Sequence, residues 1–176
     1  MQEIGFSLYN DMLSAAISSL RQGHEPDMAH PLGVTTEINL HTPALLPNAY
    51  CGDIHQRLVI YKRLGHCATQ EEIDDMLQEL IDRFGLLPAP AEALLQCHRL
   101  RLLAKPLGIS KVDASSEAIQ IQFIPNPPID PMKVLTLIQS KRHYKLIGQD
   151  KLRIDLKYGE LNQRVLAIKI FFAELK

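Results

Sequence analysis

Cys51, His55, His66 and Cys67 are the residues of this 176-residue chain whose types first suggest chemistry. They carry the donor atoms of a zinc site, whose ligands must meet within about 2.0–2.3 Å of one ion. The segment between them reads as a helix, and there His55 and His66 share nearly one face but lie ~16 Å apart along the axis. The pair cannot chelate unless the helix breaks, so packing or surface roles are expected and no metal site is. Cys97-His98 could pair a nucleophile with a base, but adjacent helical residues point ~100° apart. No acid stands at a recognisable offset to orient the histidine, so no dyad is expected. The patterns G-x-x-x-x-G-K-S/T, G-x-G-x-x-G and G-x-S-x-G are all missing, which leaves no nucleotide cradle or nucleophile elbow. The nine glycines read as helix stops and turns. Neither catalytic residues nor a cofactor are expected in this chain.

Two charge patterns are more informative. Glu72, Asp75, Glu79 and Asp82 recur at i, i+3, i+7 and i+10, opposite the apolar face of the same segment. A solvated helix face accounts for such a stripe. Yet Glu79 and Asp82 fall near the helix C-terminus, where the macrodipole disfavours acids. Like charges added to that penalty invite a basic partner. Arg57, Lys62 and Arg63 give the preceding helix a basic face, which can pair with the stripe within the chain or contact a phosphate backbone. Intramolecular pairing is the expected one. A nucleic-acid surface would draw on Arg57, Lys62 and Arg63, with Arg99, Arg101 and Lys105 as further candidates.

These residues need elements to hold them. Residues 4–22 carry a helical apolar stripe, and 23–36 are rich in Gly, His, Pro and Asp. Thr36–Leu40 alternates polar and apolar and reads as a strand. Asp53 with Gln56, and Thr69 with Glu72, are capping boxes that open two helices. The first is expected to bury Ile54, Leu58, Tyr61 and Leu64. The second is the most regular in the chain, with Ile73, Met76, Leu77, Leu80, Ile81 and Phe84 inward and Gly85 as its stop. Pro90 sits in the first turn of a helix reaching about Lys105, with Ala91, Leu94, Leu95, His98 and Leu102 on its inner side. Two strands, 111–114 and 118–124, then flank Ser115-Ser116-Glu117, and a helix at 131–141 follows with Asp130 as its cap. A second hairpin, 144–147 and 152–156, precedes a last helix at 159–174. The expected fold is therefore α+β: a helical first half with one strand, then two antiparallel hairpins each followed by a helix.

Composition narrows the function. Hydrophobic residues make up 46% and charged residues 22%, enough for one self-sufficient domain. The net charge of -1 and an aromatic share of 6% argue against a dedicated nucleic-acid binder, which needs a basic excess or stacking platforms. Three widely spaced cysteines suit a reducing compartment. With no signal peptide and no run of about 18 apolar residues, a soluble cytoplasmic domain is expected.

Three stretches together resemble the C-terminal domain of bacterial transcription-repair coupling factors. They are Ile4-Gly5-Phe6-Ser7-Leu8-Tyr9; Leu46-Pro47 through Asp53 with Arg57-Leu58 and Tyr61-Lys62-Arg63-Leu64; and Glu79 through Pro88. The resemblance implies that residues 1–176 form one regulatory domain, a fragment beginning just past the translocase of a larger protein. That parent would be an ATP-driven translocase on double-stranded DNA, displacing stalled RNA polymerase and recruiting UvrA for nucleotide excision repair. ATP and Mg would bind upstream, and this fragment would not be an enzyme. It would pack on the UvrB-homology module of the same protein and mask the surface that UvrA reads. A mask of that kind should offer carboxylates, so Glu79 and Asp82 are the expected interface residues, with Glu72 and Asp75 as secondary candidates and Arg83 either orienting them or simply exposed.

Overall fold

The computed structural model describes residues 36–176; the expected helix at 4–22 and nearly all of the 23–36 excursion lie outside them. Strand β1 (Glu37–Asn39) is followed by three helices, α1 (Ile54–His66), α2 (Gln70–Phe84) and α3 (Ala89–Ala104), and a 3-10 turn (Lys105–Leu107). Hairpin β2 (Ile109–Ala114) and β3 (Ile119–Phe123) comes next, then α4 (Pro131–Ser140). A second hairpin, β4 (Tyr144–Ile147) and β5 (Lys151–Ile154), leads to α5 (Leu161–Leu175). The α+β reading stands, with both hairpins in place.

All five strands join one sheet in the order β1-β2-β3-β5-β4. Every pairing is antiparallel except β1 with β2. Parallel neighbours need a crossover between them, and α1, α2 and α3 supply it. Alternation puts Val112, Ala114, Ile119, Ile121, Leu152 and Ile154 on the covered face, in one cluster with Leu100, Leu137, Val165, Ile168 and Phe171 from α3, α4 and α5. Ile109 and Val112 are three apart yet both buried. The register slips between Ile109 and Lys111, and a bulge of this kind restores the inward direction. At the entry to β2, Gly108 has φ 68° and a Cβ there would stand 2.7 Å from Pro128 Cδ. Both the conformation and the space require glycine.

A second cluster gathers Leu46, Cys51, Ile60, Leu64, Ile73, Met76, Leu80, Ala91, Leu94 and Leu95. Helix α3 contributes to both: Ala91, Leu94 and Leu95 go to this cluster, whereas Cys97, Leu100 and Ala104 go to the sheet. The one-sided face expected for α3 is corrected accordingly, because a helix between two cores is apolar nearly all round. His98 and Leu102 are only half-buried.

Helix α1 also departs from expectation. Ile60 and Leu64 are its buried residues, whereas Ile54 and Leu58 are exposed at 55% and 52%. A 13-residue helix carrying Ile54, Leu58, Val59, Ile60, Tyr61 and Leu64 has apolar residues on more than one side. Packing on α2 and on the 44–51 loop selected the Ile60–Leu64 side. In that loop Tyr61 Oη accepts a hydrogen bond from Leu46 N at 2.7 Å.

Candidate interaction face

The caps place the charged residues. Asp53 accepts from the amides of His55 and Gln56 and starts α1. Gln56 does not return the bond; its Oε1 faces Arg83 Nη2 at 3.4 Å. Thr69 Oγ1 accepts from Glu72 N, and Glu72 Oε2 accepts from Ala68 N at 2.6 Å. Glu72 is thereby a capping residue of α2 as well as a member of its acidic stripe. At the other end, Tyr50 Oη stands 2.9 Å from Gly85 O, just past the helix end, and 3.0 Å from Leu80 O, and its single proton can go to either carbonyl. The Tyr50 ring packs on Phe84 with centroids 5.6 Å apart.

With α1 and α2 locked side by side, Glu79 meets two guanidinium groups. Arg63 reaches it from α1 with a two-pronged bond, Nη1 to Oε1 at 2.8 Å and Nη2 to Oε2 at 2.6 Å. Arg83, one turn along α2, adds a bond to Oε1 at 2.9 Å. The Arg63 hydrogen bond above all, then that of Arg83, holds the Glu79 carboxyl down at about 2. Forked guanidinium–carboxylate pairs are among the stronger polar contacts. The basic face of α1 and the acidic stripe of α2 thus meet within the chain through one pair, Arg63 with Glu79.

The stripe is not uniform once built. Glu79 is committed twice and Glu72 to its cap, whereas Asp75 and Asp82 are exposed and hold no ion pair among the described residues. Asp74, outside the stripe, pairs with Arg99. Arg63, His66, Cys67, Glu72, Asp75 and Met76 line an open depression of about 320 Å³ between the end of α1 and the start of α2. Among the described residues, no group of three His, Cys, Asp or Glu side chains converges as metal ligands. Cys51 is buried and Cys67 half-buried, and both are free thiols.

The basic residues are divided as well. Lys62 and Lys105 are exposed, and Arg57 is half-buried with its Nε sealed and without a partner. Arg99 is held by Asp74, and Arg101 by the Thr36 carbonyl at 3.0 Å and His98 Nδ1 at 3.2 Å. Burial first, then the Arg101 charge, pushes His98 down to about 4. These six side chains do not form one cationic surface, since three guanidinium groups are spent on internal contacts.

Sequence reasoning missed the apolar residues around the charged pair. Val59 is 56% exposed on α1 and Leu86 is 87% exposed just after α2. The signal for Leu86 was its place beyond the Gly85 stop, where no helical face remains to bury it.

A similar fold occurs in the crystal structure of a C-terminal domain of transcription-repair coupling factor. That structure matches with a TM-score of 0.64 at 23% identity, over 80% of this chain and 91% of that one. The family model described as TRCF domain matches residues 40–134, from the end of β1 into α4. Transcription-repair-coupling factor of Escherichia coli is 37% identical over 177 residues, covering all of this chain and 15% of that protein. Its counterpart in Haemophilus influenzae is 41% identical over 141 residues, 80% of this chain and 12% of that protein. The chain belongs to the TRCF domain family. It spans about one seventh of the Escherichia coli relative, and among the described residues no helix is long and apolar enough to cross a membrane.

Proposed function

We propose that this chain is a regulatory, autoinhibitory domain of a transcription-repair coupling factor, a protein-binding module that carries no catalysis and needs no cofactor. Its partner is the UvrB-homology module of the same protein, and by covering that module it masks the surface that UvrA reads. The parent is an ATP-hydrolysing translocase on double-stranded DNA, with ATP and Mg bound upstream, that displaces stalled RNA polymerase in the cytoplasm and hands the lesion to nucleotide excision repair. Membership of the TRCF domain family supports the setting.

The observation that carries the reading is the contrast along α2. Arg63 and Arg83 fix Glu79 in place, so the adjacent Asp82 is displayed on a rigid surface with its carboxylate unspent. Held in this way, Glu79 loses little side-chain entropy on docking, which is where affinity is commonly lost. Glu72, Asp75 and Arg83 frame the same face. A nucleic-acid role through Arg57, Lys62 and Arg63 is the weaker reading, because Arg63 is already bound to Glu79.

The test is capture of the purified UvrB-homology module by this domain, with and without UvrA. Capture that UvrA competes away is the expected result. Failure to capture, or a stable complex containing all three proteins, contradicts masking.

A further inference from the structure

Charged side chains are almost never fully buried unless something pairs them. Arg164 breaks that rule. It is 6% exposed, lies in the first turns of α5, and forms no ion pair among the described residues. Its one side-chain hydrogen bond there runs from Nη2 to Thr42 Oγ1 at 3.0 Å, while Nε is sealed from solvent without a partner. Desolvating a guanidinium costs several kcal/mol unless charge and hydrogen bonds are returned to it. What Arg164 lacks among the described residues is a carboxylate partner.

The elements around Arg164 are short of acceptors in the same place. Helix α5 starts after Glu160, whose side chain makes no capping bond. The amides of Leu161, Asn162 and Gln163 head a helix and have no intrahelical partner. Helical side chains lean toward the N-terminus, so Arg164 leans over this same turn. The Glu160 carboxylate, four residues earlier, is exposed and does not pair with it. Thr42 is fixed from the other side. Its Oγ1 donates to Leu40 O at 3.3 Å, and the turn it occupies is closed by His41 N donating to Asn39 Oδ1 at 3.0 Å. His41 itself takes φ 50° and sets Nε2 2.6 Å from Asp113 Oδ1.

We propose that Arg164, Thr42 and the uncapped first turn of α5 form a binding site for one small oxyanion, a phosphate or a carboxylate. A planar guanidinium with unused N–H groups recognises either, and open amides at the positive end of a helix add to it. The anion restores the charge that burial leaves uncompensated. The site is independent of the α2 face and of the masking role.

The experiment is an NMR titration of the wild-type chain, following the Arg164 Nε–Hε correlation at constant ionic strength. Phosphate is added in one arm and acetate in the other. A saturable shift at Arg164, with the exposed Arg142 correlation unmoved, is expected, and the arm that saturates at lower concentration identifies the source. A second measurement uses Arg164→Met, which keeps the apolar length and removes the charge. In chloride buffer free of both anions the variant should melt higher than wild type, and phosphate or acetate should raise the wild-type Tm by several degrees but not the variant's. Absence of saturation at Arg164 with either anion overturns the site. So does an anion-dependent rise in Tm that survives Arg164→Met. If Glu160 were the true counter-ion, Glu160→Gln would lower Tm and Arg164 would not respond to either anion, which also overturns it.

Discussion

The half of the molecule around α1 and α2 and the half around the sheet solve the problem of charge in opposite ways. In the helical half no charged residue is buried among the described ones, and its ions sit at the surface in pairs such as Arg63–Glu79 and Arg99–Asp74. In the sheet half, Lys145 and Arg153 share Asp155 on the open face and Lys141 pairs with Glu174, but Arg164 goes inside with no carboxylate partner among the described residues. Under the proposed masking role, the first half would serve as a display surface, with its ion pairs orienting side chains toward a partner. The second behaves as a scaffold, whose backbone bonds and aromatic core of Tyr144, Phe171 and Phe172 hold the display in place. Helix α3 contributes to both cores and should couple them into one cooperative unit.

That last point breaks most visibly. Phe171→Ala should cost ~3–5 kcal/mol and Leu80→Ala ~2–5 kcal/mol, the usual range for emptying a buried site. Because α3 links the cores, each variant should shift one common denaturation transition, read by circular dichroism and by tyrosine fluorescence. Two separate transitions would show that the halves fold independently. Gly108→Ala strikes the scaffold through its backbone. It places a Cβ 2.7 Å from Pro128 Cδ at φ 68° and should destabilise by ~1–3 kcal/mol in urea titration.

The display half should respond more gently. Glu79 has its carboxyl at about 2 against an ordinary 4.5, so its folded form binds the proton less readily than the unfolded chain. Its stabilisation is complete above about 4.5 and disappears as the pH falls toward 2. Solvent screens this surface pair, so Glu79→Gln should cost only ~1 kcal/mol at neutral pH. The difference between variant and wild type should shrink across that acid window. The smallest expected effect has the opposite sign. Gly65 in α1 has open space where a Cβ would stand, and Gly65→Ala should raise stability by ~0.4–1 kcal/mol.

Local signals were legible where local physics decides. Asp53, Thr69 and Asp130 cap the helices they were expected to cap, because a short acceptor beside open amides needs no distant partner. The hairpins were equally readable from the alternation of Ile119 to Phe123 and from the turns beside it. Faces set by tertiary packing were not. Helix α1 could have turned Ile54 and Leu58 inward, and only the arrival of α2 and the 44–51 loop chose Ile60 and Leu64. The parallel pairing of β1 with β2 spans more than sixty residues, and no local pattern records it. At the candidate face, spacing brought Glu79 and Asp82 together as neighbours. It could not distinguish them, since the forked bond from Arg63 crosses between helices. Arg164 was invisible for the same reason: its burial depends on what surrounds α5.

The masking account rests most directly on Asp82, the displayed carboxylate that no described side chain neutralises. An Asp82→Lys substitution in the full-length protein leaves the Arg63–Glu79–Arg83 cluster and both cores untouched, so the fold should hold. Losing one member of a desolvated interface pair costs ~2–5 kcal/mol, whereas an exposed charge contributes under ~1 kcal/mol. UvrA affinity of the variant, measured by calorimetry, should therefore rise by about tenfold or more, with resting ATPase activity rising alongside. A folded Asp82→Lys protein that binds UvrA as weakly as wild type would contradict the account.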